Sequence, residues 1–209
     1  MTMLGETRYT IQSRTLAKRA KALKGLAGEP KKSVDGFGQA DKKLQQLSLR
    51  EGTTELEKMT LTEQLVAFDI GRDTILPELA IAIVAAKLAA RLTPFKGFSK
   101  MSPSVMARVG FAEETKVIEE LCANILKVNP PAPVKTLVKT LLKENAKVAA
   151  TLEKLDAPKA AHEEAFIARN RFMPEWQKAL SNLRVQMKAA LVGRPGAYEA
   201  LFAPESGVR

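Results

Sequence analysis

The feature that most constrains this chain is an apolar repeat in its C-terminal third. Val134, Leu141, Val148 and Leu155 are spaced by sevens, while Val138, Asn145 and Leu152 follow the first three by four residues. An a/d-like seam of this kind winds one face of a helix along a partner. Asp156-Ala157-Pro158 reads as a tight turn, with Asp as the N-cap and Pro just inside the next helix. The rhythm then resumes through Phe166, Arg169, Met173, Trp176, Leu180, Leu183, Met187 and Ala190. Two long helices packed antiparallel are expected, from Pro133 to Leu155 and from Pro158 to about Val192, with a kink at Pro174 because the apolar spacing crosses it unchanged. Gly193-Arg194-Pro195-Gly196 should end the second, and Ala197 to Phe202 should fold Tyr198, Leu201 and Phe202 back onto the bundle end.

The same reading extends upstream. Tyr9, Leu16, Ala20, Leu23 and Ala27 recur at helical steps, and Gly28-Glu29-Pro30 closes that helix. Ser33 is placed to cap a second segment lined by Val34, Phe37, Leu44 and Leu47. A break at Glu51-Gly52-Thr53-Thr54 leads into a stretch running to about Leu92, with Leu61, Leu65, Phe68, Ile75, Leu79 and Ile83 on one side. Gly71 weakens that stretch by roughly 1 kcal/mol relative to alanine, and Pro77 should kink or split it. Residues 94–110 form an apolar Pro/Gly/Ser loop carrying Phe95, Phe98, Met101 and Met106. It either caps the bundle with those side chains buried or presents them as a partner-contact patch. Glu113 to Val128 is a further helix, stopped by Asn129-Pro130-Pro131. The fold class is all-α: an antiparallel up-and-down bundle of about four principal helices with short additional ones, a single domain over 1–209 with 1–50 as a basic hairpin that is part of it or appended to it.

Charge is concentrated at one end. Residues 1–50 hold eleven Lys or Arg against four acids, a balance of +7, so only +3 of the net +10 belongs to the remaining 159 residues. Arg14, Lys18 and Lys21 fall within about 60° on the first helix, and Lys31, Lys32, Lys42 and Lys43 thicken the region. These seven are the candidate contacts for an anion or for nucleic acid, through sequence-independent phosphate contacts. With Tyr9 and Phe37 as its aromatics, the segment has little for base stacking. Lys135, Lys139, Lys143 and Lys147 form a second ridge, read as a solvated face.

The chemical inventory argues against an enzyme. One histidine, His162, and no Gly-x-Ser-x-Gly elbow leave nucleophilic triads without parts. Lys159 stands where a Glu-x-x-His metal motif needs its Glu, and one cysteine cannot build a zinc site. A carboxylate-only metal site stays open as an alternative, but Glu113-Glu114 and Glu119-Glu120 read first as solvated faces and capping charges. Gly36-Phe37-Gly38 is a fragment of a phosphate loop with no strand before it. Cys122 lies in a helical apolar pattern and is expected to be buried and inert. No apolar stretch reaches the ~18–20 residues of a bilayer crossing. Without a disulfide framework or an N-terminal apolar segment, a cytoplasmic protein is expected.

Two polar residues fall inside apolar seams. Asn145 is placed to fix helix register, and Arg169 to reach it or a carboxylate such as Asp69 or Asp73. Those two acids with Arg72 interrupt the third helix and are expected at the bundle's edge, the alternative being a buried polar cluster. The expected function is a non-enzymatic interaction or scaffold protein, self-associating, without cofactor or small-molecule substrate. The alternative is a non-specific nucleic-acid binder using the N-terminal basic segment. A spare apolar helix face would favour the first, and a continuous positive surface the second.

Overall fold

The structure of the protein, a computed structural model, describes residues 8–106 and 108–203. Among the described residues the chain forms six helices and no strand: α1 (Arg8–Ala22), α2 (Gly28–Ala85), α3 (Pro103–Met106), α4 (Phe111–Lys127), α5 (Ala132–Ala190) and α6 (Pro195–Phe202). The fold is an all-α helical bundle. Contacts divide it into two compact units, Lys58–Ala157 and the paired segments Met1–Glu57 with Pro158–Arg209. Both α2 and α5 contribute to each unit.

In the unit formed by Lys58–Ala157, the core follows from helical spacing. Leu65, Leu76, Leu79 and Ile83 of α2 face Val134, Val138, Leu141, Val148 and Leu155 of α5. The early residues of α2 in this unit meet the late ones of α5, so the two helices run antiparallel. α4 adds Ile118, Leu121, Cys122 and Ile125, the i, i+3, i+4, i+7 face of an amphipathic helix. Each such buried side chain stabilises the fold by roughly 1.5–3 kcal/mol. α2 ends with Lys87 in the left-handed region, φ 58°, where glycine is usual. The Leu88 amide closes the last turn on the Ile83 carbonyl at 3.1 Å. Asn129, at φ 51°, turns the chain between α4 and α5.

In the other unit, Ala20 of α1, Val34, Phe37 and Leu44 of α2, Phe172, Trp176, Leu183 and Met187 of α5, and Leu201 of α6 make the core. Phe37 and Trp176 lie with centroids 6.2 Å apart, Lys43 Nζ sits 4.4 Å over the Phe172 ring, and Arg50 pairs with Glu164 at 2.9 Å. These pairs again run in opposite directions along α2 and α5. Arg19 Nη1 donates to the Ala200 and Ala203 carbonyls and ties α1 to the end of α6. As expected, Leu201 is buried and Tyr198 and Phe202 pack beside it. The side chain of Tyr9 lies outside the described residues.

Two expected interruptions are absent. α2 runs unbroken through Glu51-Gly52-Thr53-Thr54, and α5 through Asp156-Ala157-Pro158; α2 also continues past Pro77 without a split, and α5 continues past Pro174 as the unchanged apolar spacing implied. At the first, the threonines turn inward on their own helix: Thr53 Oγ1 donates to the Leu49 carbonyl at 2.9 Å, and Thr54 Oγ1 to Glu51 at 2.9 Å. At the second, proline removes one helical bond, and the carbonyl four residues back belongs to exposed Lys154, within reach of water. The helices expected to pair as 133–155 and 158–192 are therefore one helix, and its antiparallel partner is α2. α1 also ends five residues short of the expected Ala27, because Gly25 and Gly28 take positive φ values of 78° and 60° in the turn that follows.

Candidate functional site

The most concentrated chemistry in the chain is a polar cluster inside the unit formed by Lys58–Ala157. Arg72 of α2 is 0% exposed. Its Nη1 donates to Asn145 Oδ1 of α5 at 3.0 Å and to Thr115 Oγ1 of α4 at 3.3 Å, while Nη2 donates to Asp69 Oδ1 and to Glu114 Oε2. Asn145 Nδ2 completes the circuit by donating to the Thr115 carbonyl at 3.0 Å. One guanidinium thus joins three helices, and Asn145 fixes register between α5 and α4 as its place in the seam suggests.

The acids outnumber the cation. Asp69, Asp73 and Glu114 each bring an oxygen within 4.8 Å of the others. Burial pushes the Glu114 carboxyl up to about 7; Arg72 opposes this, and the Asp73 and Asp69 charges add to it. Burial and then the Asp69 charge raise Asp73 as well. Glu114 Oε1, Asp73 Oδ1 and Arg72 Nε lack hydrogen-bond partners. A proton on Glu114 relieves two carboxylates facing one another. The oxygens converge as those of a cation site would, but Arg72 Nη2 already bonds two of the three and fills the place of the cation. The arrangement is an ionic pin between helices.

The structure corrects the sequence reading here. Arg72 is buried rather than at the bundle's edge, with half-buried Asp69 and Asp73 beside it, and Glu114 is buried rather than a solvated capping charge. Arg169 does not reach Asn145, Asp69 or Asp73; it pairs with Glu51. The missed signal is periodicity: Arg72 stands seven after Leu65 and four before Leu76, and Glu114 four before Ile118, so both fall on the inward faces. Cys122 is fully buried, and burial pushes its thiol up to about 12, so it is inert.

The other predicted residues separate. Lys18, Lys21, Lys31 and Lys42 are exposed, Lys32 pairs with Glu29 at 2.7 Å, and Lys43 lies on Phe172. Arg14 leaves the ridge: it is partly buried, and its charge acts on the carboxyl of buried Asp41. Phe95, Phe98 and Met106 are buried in the apolar core with Met101 packed against it, so residues 94–106 seal the unit and offer no exposed apolar patch at these positions. An outward apolar strip appears elsewhere. Met59, Val66, Ile70, Pro77, Ile81 and Val84 of α2 fall within about 60° of one another, turned away from Leu65, Leu76 and Leu79, with Glu63 as the charge among them. Ile70 is 61% and Ile81 71% exposed. Thr62 and Thr74 beside the strip donate to the Lys58 and Ile70 carbonyls, each at 2.8 Å.

Comparison with protein-family models, with curated proteins and with solved structures returns no match. No helix among the described residues is long and apolar enough to cross a membrane.

Proposed function

We infer that this protein is a non-enzymatic helical interaction protein that self-associates through the outward face of α2 between Met59 and Val84. The observation that carries this reading is the apolar strip. Single exposed apolar side chains are ordinary on a soluble surface, but five at helical spacing on one sector, Met59, Val66, Ile70, Pro77 and Ile81, continued by half-buried Val84 and interrupted by Glu63, make the pattern of a helix-docking seam. A second copy of the chain offers the same strip, which suits the self-complementary interface of a two-fold dimer.

Sedimentation velocity from about 1 to 100 µM tests the reading. The wild-type chain should shift from monomer to dimer, and a Val66→Glu/Ile70→Glu variant should remain monomeric with an unchanged helical circular-dichroism signal. A wild-type chain that stays monomeric throughout overturns it. The second reading, nucleic-acid binding through exposed Lys18, Lys21, Lys31 and Lys42, is tested by fluorescence anisotropy of a labelled duplex at ~50 and ~200 mM salt. Tight, salt-sensitive binding lost in Lys18→Glu/Lys21→Glu would replace the first reading if the chain is also monomeric.

A further inference from the structure

The unit formed with Pro158–Arg209 holds a cavity of about 370 Å³ between α1, α5 and α6, within the ~300–1,000 Å³ typical of small-molecule sites. Its floor is apolar, built from Leu16, Trp176, Leu180, Leu201 and Phe202. Its charged wall residues are both arginines, Arg19 and Arg184. Arg19 donates to neutral carbonyls at the end of α6, and the Arg184 guanidinium lies 5.9 Å from the centre of the Phe202 ring. Among the described contacts neither meets a carboxylate, so two positive charges stand uncompensated over a greasy floor. Asp41, a buried acid of the same unit, lies outside the wall and is attended by Ser13, Gln45 and Arg14.

We propose that this cavity binds an amphipathic organic anion, a medium-chain alkyl carboxylate, with its tail against Leu180 and Leu201 and its head between Arg19 and Arg184. The chemistry is complementary at both ends. A tail alone leaves the guanidinium groups unanswered, and a small anion alone leaves the apolar floor wet. The site is independent of the α2 strip, so self-association and ligand binding stand or fall separately.

Trp176, the single tryptophan of the chain, forms part of the floor and reports occupancy directly. Tryptophan fluorescence of the full chain is titrated with decanoate below its micelle concentration, with decanol and acetate as probes of tail and charge alone. Saturable binding of decanoate is expected, at least about tenfold tighter than decanol, with no response to acetate. Arg184 is exposed, so Arg184→Gln should keep the wild-type melting curve and weaken decanoate about tenfold. Leu180→Phe should fill the cavity and abolish the response. Absence of a saturable decanoate signal overturns the proposal, as does equal affinity for decanol or an Arg184→Gln variant that binds like wild type. Should Leu180→Phe fail to fold, the Arg184→Gln titration decides alone.

Discussion

The two units are built on the same pair of antiparallel helices, yet one has its third wall packed with large apolar side chains and the other holds a cavity. The difference lies in what the third helix brings. α4 presents Ile118, Leu121, Cys122 and Ile125, and residues 94–106 add Phe95, Phe98 and Met106, so the space against α2 and α5 is filled. α1 turns Gln12, Ser13, Thr15, Leu16 and Arg19 to the corresponding space, and these mostly short or polar side chains leave it open. The sealed unit buries an arginine with three acids around it, while the open one places two arginines, Arg19 and Arg184, at the wall of the cavity. One helical frame therefore supports a rigid pin or a receptive hollow according to the side-chain volume on its third wall.

The sharpest way to break this comparison is Arg72→Met. Removing the cation leaves buried acids unpaired, and a loss of about 5 kcal/mol is expected, the upper end for breaking a buried pair. Urea denaturation should show it as a large fall in midpoint, milder at pH 5 than at pH 8 because protonation relieves the stranded carboxyls. Trp176→Ala, in the open unit, should cost less, about 3 kcal/mol. The side chain is 6% exposed and well packed on Phe37, but it already borders a void, so its removal creates less new cavity. An unchanged midpoint would refute the packing of α5 in that unit.

Glu114 supplies a pH test confined to the sealed unit. The folded chain holds its proton up to about pH 7, whereas the unfolded chain releases it near the ordinary 4.5. The stabilisation is complete below about 4.5, falls as pH rises to about 7, and is gone above. Asp73 shifts in the same direction and adds to the slope. Glu114→Gln should flatten that slope by about 2–3 kcal/mol between pH 5 and pH 8, measured as the difference in unfolding free energy. A variant as pH-sensitive as wild type would remove Glu114 from the network. The smallest effect belongs to Gly36→Ala in α2, where a Cβ meets nothing within 4 Å; a gain of about 0.5–1 kcal/mol is expected in a thermal melt.

Much of this was legible in residue spacing. The a/d-like seam of α5, the Ile118–Ile125 face and the C-terminal turn with Leu201 all stand where the periodicity put them. Punctuation misled: Asp156-Ala157-Pro158 and Glu51-Gly52-Thr53-Thr54 look like turns, but tertiary packing on both sides carries the helices through, and hydroxyl back-bonds and solvent-exposed carbonyls absorb the local cost. The polar cluster was half legible. Asn145 announced itself inside a seam, whereas Arg72 and Glu114 occupy apolar positions with charged side chains, and residue type outweighed position in reading them. The cavity was not legible, because it depends on the volume left where three helices meet, and spacing along one helix does not report the distance to the next.

The threonines of α2 carry a consequence for its outer face. Thr62 and Thr74 flank the apolar strip, and each hydroxyl already donates to a carbonyl of its own helix. Covering that face would strip few tightly held waters, so its dehydration penalty is low for a surface with this many polar atoms. On α1, each exposed ammonium group of Lys18 and Lys21 would have to give up a full hydration shell to be covered the same way. The two faces of the chain thus differ in what they ask of a neighbour: one can be dried by contact alone, and the other yields only to a partner that brings its own negative charge.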